Sequence, residues 1–179
     1  MCSIAHVLSH SRCVAECTYT HQTTVDDETT TLEILDTTCA GGDTPSAVAE
    51  CHIRSADGFL IVYSATDRHS FEAVPAIKRL LDDQRRARNV SCVVVANKAD
   101  LQHQRRVTTA EGERAAAELA CAFFETSASD GGDDIAEAFH ELYREVKRRK
   151  LLEGKSRRRS SAQQVKQVLN KVFKIQNAS

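Results

Sequence analysis

Asn97-Lys98-Ala99-Asp100 follows an apolar run, Val90-Ser91-Cys92-Val93-Val94-Val95-Ala96, in this 179-residue chain. An amide, a cationic stem and a carboxylate within four residues can read the edge of a heterocycle. A carboxylate at Asp100 accepts two hydrogen bonds from an imino and an amino group side by side, the N1 and N2 donors of guanine. Adenine lacks both donors and would leave a covered carboxylate unpaired, at a cost of ~1–3 kcal/mol. The Asn97 amide both accepts and donates, so it ties a base edge to neighbouring loops. The Lys98 stem is long and apolar enough to lie over a ring face. Four residues alone fit a polar turn capping a strand equally well. Glu125-Thr126-Ser127-Ala128-Ser129 follows the next apolar run, and a Ser-Ala loop there aims a backbone N–H at the guanine O6. Loops at the carboxyl ends of successive parallel strands are where an open α/β sheet takes its ligand.

The surrounding pattern supplies elements to hold such loops. Gly58–Tyr63, Val90–Ala96 and the shorter Ala120–Glu125 are nearly continuous apolar runs, as expected of strands covered on both faces. Between them, Phe71, Val74, Ile77, Leu80 and Leu81 form one face of a helix over Ser70–Gln84. Thr108-Thr109-Ala110-Glu111 is a capping box that opens an alanine-rich helix running to about Ala120. Ile135, Ala138, Phe139, Leu142 and Val146 predict a third helix, leading into Lys147–Lys150. Upstream, Tyr19–Val25 and Thr29–Leu35 are rich in Thr and branched residues and flank Asp26-Asp27-Glu28, which reads as an antiparallel hairpin. Alternating strands and helices from residue 58 onward imply an α/β fold with right-handed crossovers. After Gly154, Lys155–Ser161 reads as a polar hinge, and Val165, Val168, Leu169, Val172 and Phe173 as a second amphipathic helix.

Charge is divided unevenly. From Arg144 onward there are twelve Lys or Arg against Glu145 and Glu153, a balance of +10, while residues 1–143 carry −11. Such a tail suits an anionic surface, although a solvated basic helix that binds nothing has the same composition. No apolar run reaches the ~18 residues needed to span a bilayer, and the first residues lack the pattern of a signal peptide. Seven cysteines without a Cys-x-x-Cys pair imply reduced thiols and a cytoplasmic protein, with the tail suiting the membrane periphery or the nucleus. Cys13, Cys17, His10 and His21, or Cys39 with Cys51-His52, match no common zinc spacing.

The two base-reading loops together resemble those of the Ras-like small GTPases. Glu33-Ile34-Leu35-Asp36-Thr37 is similar to that family's strand entering switch II, and Tyr19–Glu28 to its effector strand. Glu118–Phe123 and Gly154–Ser161 resemble the estrogen-regulated growth-inhibitor branch, and the likeness covers residues 16–174. The resemblance implies an α/β Ras-like fold, a mostly parallel sheet flanked by helices, with a basic carboxy-terminal helix. It implies a guanine site of Asn97, Lys98, Asp100, Ser127, Ala128 and Ser129, GTP or GDP with Mg²⁺ as ligands, and Asp36 in the metal shell, partly through water. It also implies effector or regulator proteins at Tyr19–Leu35. The expected organisation is an atypical segment 1–13, an incomplete G domain 14–154 and a basic amphipathic tail 155–179.

Other parts of the family pattern are altered. The family begins with a strand, then Gly-x-x-x-x-Gly-Lys-Ser/Thr, then a helix, and that loop cradles the phosphates. This sequence has no glycine before Gly41, and Gly154-Lys155-Ser156 follows a basic stretch with Arg149 where the motif's first glycine belongs. Val14 stands where a Thr would reach Mg²⁺, and Val offers no oxygen ligand. Around Asp36-Thr37-Thr38-Cys39-Ala40-Gly41-Gly42 no alignment supplies the Gln that orients the attacking water. The expectation is therefore an amino-terminally truncated G domain, with nucleotide and Mg²⁺ binding weakened and no catalytic residue assignable. The alternative is a non-catalytic pseudo-GTPase module acting through the hairpin and the tail. The last cysteine is Cys121, so no prenyl anchor is expected, and no specific nucleic-acid partner is expected either. Because the family's first strand lies between the third and fourth, its loss would expose two edges unless Ile4–Leu8 fills the gap.

Overall fold

Short β-branched runs and amphipathic helices alternate through most of the chain, and the computed structural model describes residues 2–8, 18–39, 53–85 and 90–176. Six strands form one sheet: β1 (Cys2–Leu8), β2 (Thr18–Val25), β3 (Glu28–Cys39), β4 (Gly58–Ser64), β5 (Cys92–Asn97) and β6 (Ala122–Glu125). The long helices among the described residues are α1 (Arg68–Arg85), α2 (Thr109–Glu118) and α3 (Asp133–Gln176). The strand order is β2-β3-β1-β4-β5-β6. Val14, Gly41, Gly42, His10, Cys13, Cys17, Cys51 and His52 lie outside the described residues.

The gap expected beside the hairpin is filled. β1 pairs with β3 from Cys2↔Cys39 to Leu8↔Glu33 and with β4 from Ser3↔Val62 to Val7↔Gly58. It therefore begins two residues before the segment suggested by sequence. Both ladders are antiparallel, whereas β4–β5 and β5–β6 are parallel. Antiparallel pairing is slightly the more stable per residue, and a central strand satisfies its backbone groups alternately on its two sides. The unpaired edges are removed, and the hairpin joins the parallel strands through this one segment.

The hairpin itself forms as read, with Asp26 and Asp27 as the turn. Both have positive φ, 51° and 64°, the conformation a two-residue type I′ connection needs to match strand twist. Asp26 also takes a bidentate grip from Arg144 on α3, with Nη2 to Oδ1 at 3.0 Å.

One face of the sheet carries Phe59, Ile61, Tyr63, Cys92, Val94 and Ala96, packed against Val74, Ile77 and Leu81 of α1 and Ala116 of α2. Val93, Val95 and Leu60 are buried at the alternate positions. Ala138 and Leu142 of α3 are also buried. The capping box at the start of α2 is present, with Thr108 and Glu111 each satisfying the other's backbone N–H. That helix ends at Glu118, because Ala120 takes φ 53° and closes a Schellman turn through Cys121 N–H to Ala116 O (2.9 Å) and Ala120 N–H to Ala117 O (3.1 Å).

The backbone corrects one reading. Lys155–Ser161 is not a hinge, since α3 is helical from Asp133 to Gln176. Lys, Arg and Gln are good helix formers, no proline interrupts them, and one glycine costs only about 1 kcal/mol. The chain divides into two compact units, Met1–Glu145 and Val146–Ser179, and the second is helical to Gln176. No helix among the described residues is long and apolar enough to cross a membrane.

Candidate functional site

Parallel β4, β5 and β6 bring the loops after Ser64, Asn97 and Glu125 to one edge of the sheet. These loops are stitched together by their own backbones. Ala65 N–H donates to Asn97 O (2.8 Å), Thr126 N–H to Ala96 O (2.9 Å) and Ala99 N–H to Thr126 O (3.0 Å). The Ala65 carbonyl in turn accepts from the Arg106 and Val107 N–H groups.

Side chains close the same arrangement. Asn97 Oδ1 accepts from its neighbour Lys98 N–H (2.8 Å) and from Ala128 N–H across the loops (3.1 Å). Ser127 Oγ donates to Asp100 Oδ1 (2.7 Å) and accepts from Asp130 N–H (3.2 Å). Asn97, Asp100, Ser127 and Ala128 are thus one hydrogen-bonded group drawn from two segments about thirty residues apart in sequence. Thr126 and Ser127 are buried, while Lys98, Asp100, Ala128 and Ser129 are exposed. Lys98 holds φ at 65°, a left-handed conformation that costs a non-glycine residue about 1 kcal/mol. Its N–H is held by Asn97 Oδ1, and the residue is exposed.

Beneath the loops lies a support that the sequence did not disclose. Arg105 reaches Glu125 with Nη1 to Oε1 at 2.6 Å and also donates to Val107 O (3.2 Å). Thr109 Oγ1 donates to the same Glu125 oxygen at 3.1 Å. Gln102 Nε2 donates to Ala99 O (2.6 Å), bracing the turn that carries Asp100. The charges of Arg105 and Glu125 are opposite but twenty residues apart, so no local spacing rule finds them.

Asp36 does not reach that edge: through Ala5 and Leu60 it is level with Val93, four residues before Asn97. It is an exposed residue in the carboxyl-terminal part of β3, opposite Ala5 of β1. Three strand spacings, about 14 Å, separate β3 from β5. Among the described residues no group of three His, Cys, Asp or Glu side chains could hold a metal. A single exposed carboxylate does not fit a stand-alone Mg²⁺ site, since that ion normally takes one or two carboxylates together with ligand phosphates and water. The base-reading loops do fit a guanine edge in donor and acceptor type.

At this edge β1 runs the opposite way from its neighbours. Its amino end, Cys2, lies across from Cys39, so no loop leaves its carboxyl end towards the Asn97–Ala128 group.

The model of the Ras family matches residues 6–148. The chain is 52% identical over 158 residues to the Ras-related and estrogen-regulated growth inhibitor of Bos taurus, covering 88% of this chain and 78% of that protein. The Homo sapiens protein of the same description is 51% identical over the same lengths. Ras-like protein rasS of Dictyostelium discoideum is 44% identical over 133 residues, covering 74% of this chain and 67% of that protein.

Proposed function

This chain belongs to the Ras family of small GTPases, and we propose that it is a guanine-nucleotide binder whose base half is intact and whose phosphate half is weakened. The observation that carries this is the link between the two loops: Asn97 Oδ1 accepting from Ala128 N–H while Ser127 fixes Asp100. Asp100 then selects the N1 and N2 donors of guanine, Lys98 covers the ring, and Ser129 closes the loop beside Ala128. Asp36 holds Mg²⁺ only together with bound phosphates and water.

Phosphoryl transfer depends on positioning and charge neutralisation. In this sequence the expected Gly-rich loop, the switch Thr and the switch Gln are replaced or absent, and those are the parts that perform it. Two charge-assisted hydrogen bonds and one stacked stem supply about 4–5 kcal/mol, an affinity on the order of a millimolar. Turnover is correspondingly negligible. Titration of the full chain with GDP and ADP, with and without Mg²⁺, tests this reading. Weak binding that prefers GDP, changes little with Mg²⁺ and falls about tenfold or more in Asp100→Ala is expected. Micromolar, Mg²⁺-dependent binding, or steady release of phosphate from GTP, overturns it.

A second reading is supported by the hairpin. β2 is the edge strand of the sheet, its residues are exposed except near Val25, and Tyr19 is 62% exposed. An open ladder with an aromatic residue on it suits capture of a partner strand, so effector or regulator proteins bind at Tyr19–Leu35 without nucleotide. The basic tail adds attraction to anionic lipid, about 1 kcal/mol per basic residue near the surface, placing a cytoplasmic protein at the membrane periphery. Sedimentation with phosphatidylserine vesicles, lost on deleting residues 155–179, separates tail binding from hairpin binding.

A further inference from the structure

At the sheet edge opposite the base-reading loops, two cysteines meet. Val93 of β5 is laterally paired with Ala122 of β6, so the residues just before them, Cys92 and Cys121, are side-by-side neighbours. Adjacent strands lie about 4.8 Å apart, within the Cα separation a disulfide tolerates. Cys92 is buried in the core, 4% exposed, whereas Cys121 is partly accessible. The Schellman turn after α2 sets Cys121 in place, and its thiol donates to Leu119 O at 3.4 Å. Lys78 of α1, only 7% exposed, brings a cation into this part of the core and is gripped by both oxygens of Asp82 at 2.6 Å.

We propose that Cys92 and Cys121 form a peroxide-driven thiol–disulfide pair that clips together the amino ends of β5 and β6. Cys121 is the attacking sulfur. A hydrogen bond from Cys92 holds its thiol below the usual range, against the opposing effect of burial, and the Lys78 cation acts in the same direction as that bond. Cys92 is held above the usual range, first by that shared hydrogen bond and then by burial, which suits a resolving thiol that waits protonated. Asp82 opposes thiolate formation at both sulfurs and Lys78 favours it, so Lys78, Asp82 and the two thiols set the local balance.

The oxidant is a hydroperoxide, small enough to reach a partly exposed sulfur. The Cys121 thiolate attacks one oxygen of hydrogen peroxide, the O–O bond breaks, and the leaving hydroxide takes a proton to become water. Cys121 is then a sulfenic acid. The Cys92 sulfur gives up its proton and attacks the Cys121 sulfur, the S–S bond forms, the S–O bond breaks, and a second water leaves. Two thiols and one peroxide become one disulfide and two waters, a two-electron oxidation of sulfur matched by reduction of the peroxide.

The test is a non-reducing peptide map of the full chain after brief hydrogen peroxide treatment and alkylation of the remaining thiols. The expected major product is the Cys92–Cys121 linked peptide, reversed by dithiothreitol, in protein whose melting midpoint has risen. In Cys92→Ala, Cys121 is expected to stop at the sulfenic acid and be trapped by a 1,3-diketone. In Cys121→Ser, Cys92 is expected to resist peroxide. The wild-type map decides the matter even where a variant folds poorly. Cys121 accumulating as sulfinic acid while Cys92 stays alkylatable, or links scattered among Cys2, Cys13, Cys17, Cys39 and Cys51, overturns the proposal.

Discussion

On one side of β4 the strands run parallel and end in loops that are hydrogen-bonded to one another; on the other, β1 comes in from the opposite direction and presents its amino end to that edge. Both arrangements satisfy the sheet's backbone groups, yet among the described residues the first is the one that brings loop side chains together. A ladder constrains hydrogen-bond direction and spacing, and an antiparallel strand meets that demand as well as a parallel one. A ligand pocket also requires that the chain turn out of the sheet at a chosen edge with particular residues in the turn. Sheet continuity therefore places fewer demands on the direction of a strand than a loop-built site does.

Breaking β1 should produce the largest effect. Ala5 faces Asp36 on one side and Leu60 on the other, so a proline there removes a ladder bond from a strand with no free side. Ala5→Pro is expected to cost about 3 kcal/mol and to lower the midpoint of the cooperative melt followed by circular dichroism by several degrees or more. A melt unchanged within a degree would mean that the hairpin and the parallel strands do not depend on β1.

Next comes a strike at the parallel half. A Cβ on Gly112 would lie 2.5 Å from the Tyr63 hydroxyl and 2.6 Å from the Phe123 ring, closer than side-chain carbons approach in folded proteins. Gly112→Val should therefore push α2 off the sheet, at about 1–3 kcal/mol, read as a lower urea midpoint. The comparison is sharpened if this variant also loses its preference for GDP while Ala5→Pro, under conditions where it remains folded, keeps it. Equal loss in both would say that the two halves are one energetic unit.

Most of the parallel half can be read from the sequence alone. Apolar runs of strand length, helical stripes between them and the Thr108–Glu111 box specify local structure by short-range physics, and the elements lie close to those bounds. Asn97, Asp100, Ser127 and Ala128 stand out in the sequence because they are concentrated in two short loops, and the structure ties those loops together through them. The direction of β1 does not, since Cys2–Leu8 has the same pattern whichever way it runs, and only its two neighbours decide. Arg105 and Glu125 were hidden for a related reason: the pair forms by tertiary folding across α2 and β6. The continuity of α3 through Gly154 is hidden by the polarity of Lys155–Ser161, which suggests a flexible link although the backbone propensity of those residues favours helix.

A smaller, stabilising change is available at Ala120. Its φ of 53° is one that glycine adopts without a Cβ clash, and it occupies the position where Schellman turns usually place glycine. Ala120→Gly is expected to stabilise by up to about 1 kcal/mol and to raise the thermal midpoint by a few degrees. Because this turn delivers Cys121 to Cys92, the rate of peroxide crosslinking should be retained, and a lower midpoint would show that the strain lies elsewhere.

The smallest effect concerns the acid side of the same helix. Glu111 is held down to about 2, chiefly by the Thr108 backbone N–H, then by Arg68 and the Thr108 hydroxyl. The contacts are short: Thr108 N–H to Oε2 at 2.9 Å and Arg68 Nη1 to Oε1 at 2.6 Å. A carboxyl depressed in the folded state below its ordinary 4.5 contributes stability that is complete above that value and lost as the pH falls towards 2. Glu111→Gln keeps the capping geometry and removes the charge, so it should lower the urea midpoint slightly at pH 7. Its midpoint and that of the unsubstituted chain are expected to converge between pH 4.5 and 2, where the carboxylate is titrated. A difference that stays constant across that window would mean that shape, and not charge, fastens the start of α2 beneath the loops, leaving Arg68 with no part in it.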